Sequence, residues 1–488
     1  MQVEIPQLIT NNEEINRAFR IAVSDIIANF AMHKDGLLKE HQEVIYAGMG
    51  YEMPWTRDAA INVWNACGLL FPEVSKNTLL SVLIEDEHGL RIGGEYWDSI
   101  IWVTGAWYYY LYTMDKDFLE ISYEVAQNSL KFFENTEFDS EMNLFRGPAC
   151  YGDGVAAYPD IYAKSGESGI AAFVKHFPEY MAENGVGCPM HTLSTNCLYY
   201  SAYNLMQKME KELNLQINKE YTDKAARLKD SINKYFWMED KGYYRYIVDD
   251  FGGCEHQEGL GHSFAILLGV ADEEKTNKIL KNQYITKEGI PCVWPCFDRY
   301  LNFNKNEYGR HSGVIWPFIE AFWADAAAKN GRIDLLQYEF SCMTKRAMRD
   351  GHFAEIYHPV SGELYGGIQE NKGQGIISWK SELKQTWSAT GYIRMILFDI
   401  IGINVDENGI SVSPNLINGL EYIELKNLPF RGKLLDISID KKTHTAIFLK
   451  EMLREPCVVG SNPAPLIIEW VAQLVEQRIK ASCIFAEC

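Results

Sequence analysis

No stretch of about 18 uncharged apolar residues occurs in this sequence, which excludes a bilayer-spanning helix of ordinary length. The opening residues, MQVEIPQLITNNEEINRAF, lack a basic segment followed by an apolar core. A secretory leader is therefore not expected, and the chain is expected in the cytoplasm. The eleven cysteines, Cys67, Cys150, Cys188 and Cys197 among them, never form a CxxC pair. Reduced, mostly buried thiols are expected instead of a disulfide frame, and no zinc or other metal site is indicated. Basic residues are few beside acidic ones, 46 against 66, for a formal net charge of −20. Such a surface repels phosphate backbones, so a nucleic acid partner is not expected, whereas a neutral ligand is unaffected. No period of 30–45 residues recurs, which argues against a solenoid of short repeats.

What the chain does have is aromatic residues: 28 Tyr, 23 Phe and 12 Trp. Most are expected in a large core. Some cluster beside acids and glycines, as in YEMPWTRD, GGEYWDSIIW and RHSGVIWPF. Aromatic planes can stack on the C–H faces of a sugar while carboxylates and Arg bind its hydroxyl rim.

Helical periodicity dominates the first 400 residues. Helices are predicted at 11–31, 58–70, 98–112, 118–135, 195–213, 219–236, 261–269, 273–281, 313–329, 333–349 and 385–401. They are alternately more and less apolar, which suggests two concentric rings. The predicted fold class is all-α, a toroid of helical hairpins over 1–402, with few strands before residue 400: 243–248 and a few short hairpins. Long loops at 136–192, 282–312 and 350–384 are expected to carry function. Residues 403–445 read as a small β appendage. Residues 446–488 differ in composition, and GSNP and VAQLVEQR can be encoded by strings resembling transfer-RNA gene arms. The tail is therefore expected to be an out-of-frame or read-through extension, the alternative being an ordinary amphipathic helix at 467–479.

Six constellations could carry chemistry. Trp55-Thr56-Arg57-Asp58 opens a helix, with Thr56 able to cap it and a cation–carboxylate pair suited to vicinal hydroxyls; a structural ion pair would account for it equally. Trp97-Asp98 precedes a buried helix, where Asp98 is either a cap or a site residue. Asp153 lies between Gly152 and Gly154 in a long loop, with Asp160 seven residues on. Desolvation there would raise a carboxyl toward a general acid's range, and a plain Asp-Gly turn is the alternative. Glu258 stands at a helix start and could bind a hydroxyl, act as a base or cap. Arg310-His311 precedes Trp316-Pro317. Ala354-Glu355-Ile356-Tyr357 is followed by Glu363, Glu382 and Gln385-Thr386-Trp387-Ser388.

Several of these motifs resemble a known group. WTRD resembles the sugar-holding motif of glucoamylases and related glucosidases. HSGVIWP resembles a stretch of debranching-type glycosidases that contributes to the sugar pocket. AEIY followed by QTWS resembles a pattern of amylo-1,6-glucosidases, trehalases and glucoamylases, with Ala354 where many relatives have Pro. Over roughly 45–400 the chain thus resembles six-hairpin, (α/α)6-barrel glycoside hydrolases. The resemblance implies Glu355 as general base, with Glu363 and Glu382 as alternatives. It implies Asp153 as general acid, with Asp160 in reserve. It implies substrate binding by Trp55, Arg57, Asp58, Trp97, Asp98, Glu258, Arg310, His311 and Trp316, and no cofactor. The expected activity is an inverting, exo-acting α-glucosidase releasing a terminal glucosyl unit. A toroid phosphorylase or sugar epimerase, or a non-catalytic carbohydrate-binding toroid, are the competing readings.

Overall fold

The computed structural model describes residues 5–181, 185, 187–302 and 304–441, together with the backbone of strands at 445–448, 458–461 and 464–466. Twelve helices build its main body: α1 (Glu13–Ala28), α2 (Thr56–Asn62), α3 (Pro72–Ser81), α4 (Ile101–Thr113), α5 (Lys116–Thr136), α6 (Leu193–Glu212), α7 (Lys219–Phe236), α8 (Gly259–Leu267), α9 (Glu273–Asn282), α10 (Pro317–Lys329), α11 (Ile333–Asp350) and α12 (Thr386–Arg394).

The even-numbered helices pack side by side in the order α2, α4, α6, α8, α10, α12, and α12 returns to α2. They form a closed inner ring. Their composition dictates this position: every residue of α2 and α12 is buried, as are nearly all of α4 and α10. The largely apolar α4 and α10 have no face for water and must lie between others, whereas α2 and α12 bury polar residues that are paired, Arg57 with Asp98 and Arg394 with Asp325. The odd-numbered helices are amphipathic. In α1, α5, α7 and α11 only one stripe is buried, and each forms part of the outer layer. Trp102, Trp107 and Trp323 are buried with essentially no exposure, Trp102 between the layers against Leu79 and Phe118.

The predicted all-α toroid is therefore the observed fold, with differences of detail. The helix predicted at 11–31 stops at Ala28, and Phe30–His33 instead pairs with Gln42–Ile45. The helix at Pro72–Ser81 is not anticipated by the periodicity. The strand predicted at 243–248 is split into Tyr243–Tyr244 and Ile247–Asp249. Two inner helices open into wider π-helical turns toward their C-terminal ends, at Val63–Cys67 after α2 and Met395–Ile400 after α12.

Buried ion pairs tie the helices together. Arg394 at the end of α12 bonds Asp325 of α10, and Arg346 of α11 bonds Glu320 in the first turn of α10. Strands dominate after residue 402. Gln7–Thr10, Tyr422–Phe430, Lys433–Asp440 and Thr445–Phe448 form one antiparallel sheet, with Leu8 opposite Leu425 and Ile423 opposite Ile439. Its apolar face packs with α1 and α12 in one cluster that includes Phe19, Ile26, Ile396 and Leu428. The unusual tail at 446–488 lies outside the described residues apart from the backbone of its short strands. No helix among the described residues is long and apolar enough to cross a membrane.

Candidate active site

All six inner helices begin at the same end of the ring, where the long loops lie. Outer helices α1, α5, α7 and α9 are each capped by their own preceding Asn or Asp side chain. None of the six inner helices is. Their first N–H groups thus supply partial positive charge around one central space, a setting that suits carboxylates and hydroxyls. Thr56 does not cap α2; its hydroxyl bonds the Gly93 carbonyl at 3.0 Å, tying α2 to the next loop.

A pocket of about 230 Å³ opens at this end. Its floor and walls hold Arg57, Asp58, Asp153, His311, Trp316 and Glu355. Trp55, 41% exposed, stands at its edge. Tyr51, Gln369, Trp379, Gln385 and Trp387 complete the wall.

Glu355 is held at both oxygens, and its side chain is 2% exposed. Tyr51 donates to Oε1 at 2.7 Å and Arg310 Nη2 donates to Oε2 at 2.8 Å. The Glu382 backbone N–H lies 3.4 Å from Oε2, and the Glu382 carbonyl accepts from the Glu355 N–H. Glu382 therefore contributes its backbone to the seat of Glu355. Its carboxylate borders a neighbouring cavity with Gly50 and Lys380.

Asp153 sits on another wall, its side chain 47% exposed. Its Oδ1 is 3.0 Å from His311 Nε2, and its Oδ2 is 3.8 Å from Arg57 Nη2. Burial acts to raise this carboxyl. The His311 hydrogen bond and the Arg57 charge outweigh it and hold Asp153 below the usual carboxylate range. Arg57 is the hub: it also meets Asp98 at 3.1 Å and Asp58 at 3.9 Å, bonds the Cys150 carbonyl, and lies over the Trp387 ring. Burial pushes Asp58 up to about 7, with Arg57 pulling the other way. Burial, aided by Asp153, likewise lifts Glu95 to about 7.

The remaining sequence-derived candidates lie elsewhere. Asp98 is buried and reaches the pocket only through Arg57. Trp97 packs edge-on to Tyr96 and lines a separate cavity with Glu95. Glu258 is wholly buried outside the pocket wall, its Oε2 accepting from the Ser194 N–H at 3.1 Å in the first turn of α6. It caps the neighbouring helix, and burial raises its carboxyl to about 8. Asp160 and Glu363 are exposed and do not line the pocket.

Five wall residues were not among the candidates. Tyr51 and Trp387 lie inside segments already singled out, YEMPWTRD and QTWS. Gln385 is wholly buried, and among the described residues neither of its amide atoms finds a hydrogen-bond partner. Gln369 and Trp379 come from the hairpin Ile368–Asn371/Gly375–Ser378 and its exit. Among the described residues, no cluster of three or more His, Cys, Asp or Glu side chains gathers as metal ligands.

Comparison with known proteins follows the same outline. No curated protein sequence matches the chain. Among solved structures, a sialidase superposes with a TM-score of 0.65 at 11% identity, covering 91% of this chain and 40% of that one. A GH78 family rhamnosidase of Bacillus sp. GL1 gives 0.60 at 14% identity, covering 89% and 40%. The chain thus spans well under half of those larger proteins. The GH63 mannosylglycerate hydrolase from Thermus thermophilus gives 0.55 at 12% identity, covering 78% of this chain and 100% of that one. At such identities the likeness establishes the fold. The family model described as the mannosylglycerate hydrolase MGH1-like glycoside hydrolase domain matches residues 101–388, more than half of the sequence, from α4 to the start of α12. The chain is therefore a glycoside hydrolase belonging to the MGH1-like family.

Proposed function

We propose that this enzyme removes a single terminal α-linked sugar with inversion, Asp153 protonating the leaving oxygen and Glu355 activating the attacking water. The observation that carries this reading is that both carboxylates face one small pocket from different walls, each fixed by a cation, Arg57 for Asp153 and Arg310 for Glu355. An inverting enzyme needs two carboxyl groups with room between them for water. The pocket volume of about 230 Å³ suits one ring better than an extended chain. It lies below the roughly 300 Å³ at which sites for larger ligands begin.

In this reading Trp55, Trp316 and Trp387 pack on the ring, and Arg57 and Asp58 bind its hydroxyls. Glucose is the expected sugar, from the resemblance of WTRD to glucosidase motifs. The Thermus mannosylglycerate hydrolase, also solved in complex with glucose, makes mannose the first alternative. A related structure holds D-glycerate. Here Arg310, Trp379, Lys380 and Glu382 border an adjoining cavity of about 370 Å³, a place where a small polar aglycone would find both a cation and a carboxylate.

The test is a panel of α-glucosides and α-mannosides, including those of glycerate, followed by NMR of the sugar first released. Inversion predicts the β-anomer from an α-linked substrate. An α-anomer as first product, or turnover only with added phosphate, would overturn the mechanism.

A further inference from the structure

The acid side of the pocket is a pair of groups and not a lone carboxyl. Asp153 Oδ1 and His311 Nε2 are 3.0 Å apart. On the opposite edge of the imidazole, Nδ1 lies 3.2 Å from Gln369 Oε1. That same oxygen accepts a hydrogen bond from the Ala156 backbone N–H at 3.2 Å. A backbone N–H can only donate, so the Gln369 atom facing it is the carbonyl oxygen and not the amide nitrogen. An amide oxygen can only accept, so His311 Nδ1 must carry a hydrogen.

The tautomer is thereby fixed. In the neutral ring Nε2 is an acceptor, and it points at a carboxylate oxygen, which is also an acceptor. Two acceptors at hydrogen-bond distance need a proton between them. Trp316 stacks on the imidazole at 5.1 Å and sets its plane. Gly154 makes the approach possible, because a Cβ there would collide with both Gln369 Oε1 and the His311 ring.

We propose that Asp153 and His311 jointly hold the one proton that the leaving oxygen receives, with Gln369 as the positioning residue that fixes the histidine tautomer. This rests on Asp153 being the acid, as proposed above. Against the effect of burial, the His311 hydrogen bond and, after it, the Arg57 charge hold the Asp153 carboxyl low. A carboxyl held low is a poor proton donor near neutrality, so the proton is held by the pair. The other charged groups acting on Asp153 or on its neighbours in this network are Arg310, Glu95, Asp58 and Asp98.

In the reaction the glycosidic C–O bond breaks, and its oxygen takes the shared proton through Asp153 and departs as an alcohol. Water adds to the anomeric carbon and gives its proton to Glu355. The pair is left as imidazole and carboxylate. Solvent then carries the proton from Glu355 back to the pair, so one water is consumed and no net charge changes.

The experiment compares His311→Gln with wild type on methyl α-D-glucoside and on α-D-glucosyl fluoride, or on the mannosyl counterparts if the enzyme takes mannose. Fluoride leaves without protonation. The variant keeps an amide able to bond Asp153 but has no titrating proton. Its kcat on the methyl glycoside should fall about 100-fold or more, with the fluoride changed much less. The basic limb of its kcat/KM profile should move to lower pH. Gln369→Leu should show the same selectivity in milder form, and Gln369→Glu, which keeps an acceptor for Nδ1–H, should restore it. Equal losses on both substrates, or no loss on the methyl glycoside, would overturn the pair. Asp153→Asn on the same two substrates tests the underlying assignment. If it keeps methyl glycoside activity, Asp153 is not the acid. If it behaves as an acid variant while His311→Gln is unaffected, only the pair is wrong.

Discussion

Arg310 Nη2 and Glu355 Oε2 are 2.8 Å apart, inside a pocket where the glutamate side chain is almost fully buried. Breaking a buried pair from one side leaves an uncompensated charge. Glu355→Gln should lower kcat by several orders of magnitude and cost less stability than removing the cation, because Arg310 keeps the Gly366 and Lys380 carbonyls and the amide stays within reach of Tyr51 and Arg310. Arg310→Met should cost stability as well as activity, about 3–5 kcal/mol in denaturant unfolding. Tyr51→Phe removes one of the two side-chain holds on Glu355 and should cost about tenfold to a hundredfold in kcat, the scale of a hydrogen bond to a charged group, roughly 1.5–3 kcal/mol. Wild-type kcat in Glu355→Gln would remove Glu355 from the mechanism.

Asp58 gives a test of sugar binding. Its carboxyl is buried and lifted to about 7. Asp58→Asn should raise KM and lower kcat/KM by about 100-fold or more, the scale of a lost charged hydrogen bond to a hydroxyl. Steady-state kinetics and a binding titration with glucose decide it. An unchanged KM and kcat would place Asp58 in the scaffold alone.

Glu258 separates a cap from a base. Its folded carboxyl titrates near 8, well above the roughly 4.3 of an unfolded glutamate. Between those values the native state binds the extra proton, so this residue's contribution to stability is present in acid and declines as pH rises through that window. Glu258→Gln should therefore retain activity and flatten the fall in stability between about pH 5 and pH 8, measured by urea unfolding. Glu258→Ala, which strands the Ser194 N–H, should lose about 1–3 kcal/mol. Loss of turnover in a well-folded Glu258→Gln would return Glu258 to the reaction.

Gly154 should not tolerate a side chain. Gly154→Ala pushes a methyl into the Gln369–His311 contact. The expected result is loss of activity with α-glucosides of poor leaving groups, in a protein whose circular dichroism spectrum is unchanged. Full activity would mean that the loop yields without disturbing the histidine.

Much of this architecture can be read from the residues, for a physical reason. Helical period is a local property, and Lys219–Phe236 is legible to the residue because Asn218 caps it and Tyr221, Ala225, Leu228 and Ile232 mark one stripe. The helix Pro72–Ser81 escapes because Ser75, Lys76, Asn77 and Thr78 interrupt its apolar pattern; Ser75 and Thr78 are nonetheless buried. The pocket is legible where a motif spans its own geometry, as with Arg57 and Asp58. It is not legible where facing matters. Glu258 and Asp58 both stand at the start of an inner helix, yet one points at a neighbouring helix and the other into the pocket. Gln369 carries no local signal at all; its role comes from a hairpin that folds back across more than fifty residues onto His311.

The closed ring also has a consequence for how the enzyme comes into being. Tyr51 and Arg57 are made early, Trp387 late, and α2 and α12 meet only at the seam that shuts the ring. On the ribosome, no partial product has a pocket. Until α12 has emerged, the flanks of α2 and α10 lack their shared neighbour. Activity arrives all at once, with the last helix of the barrel.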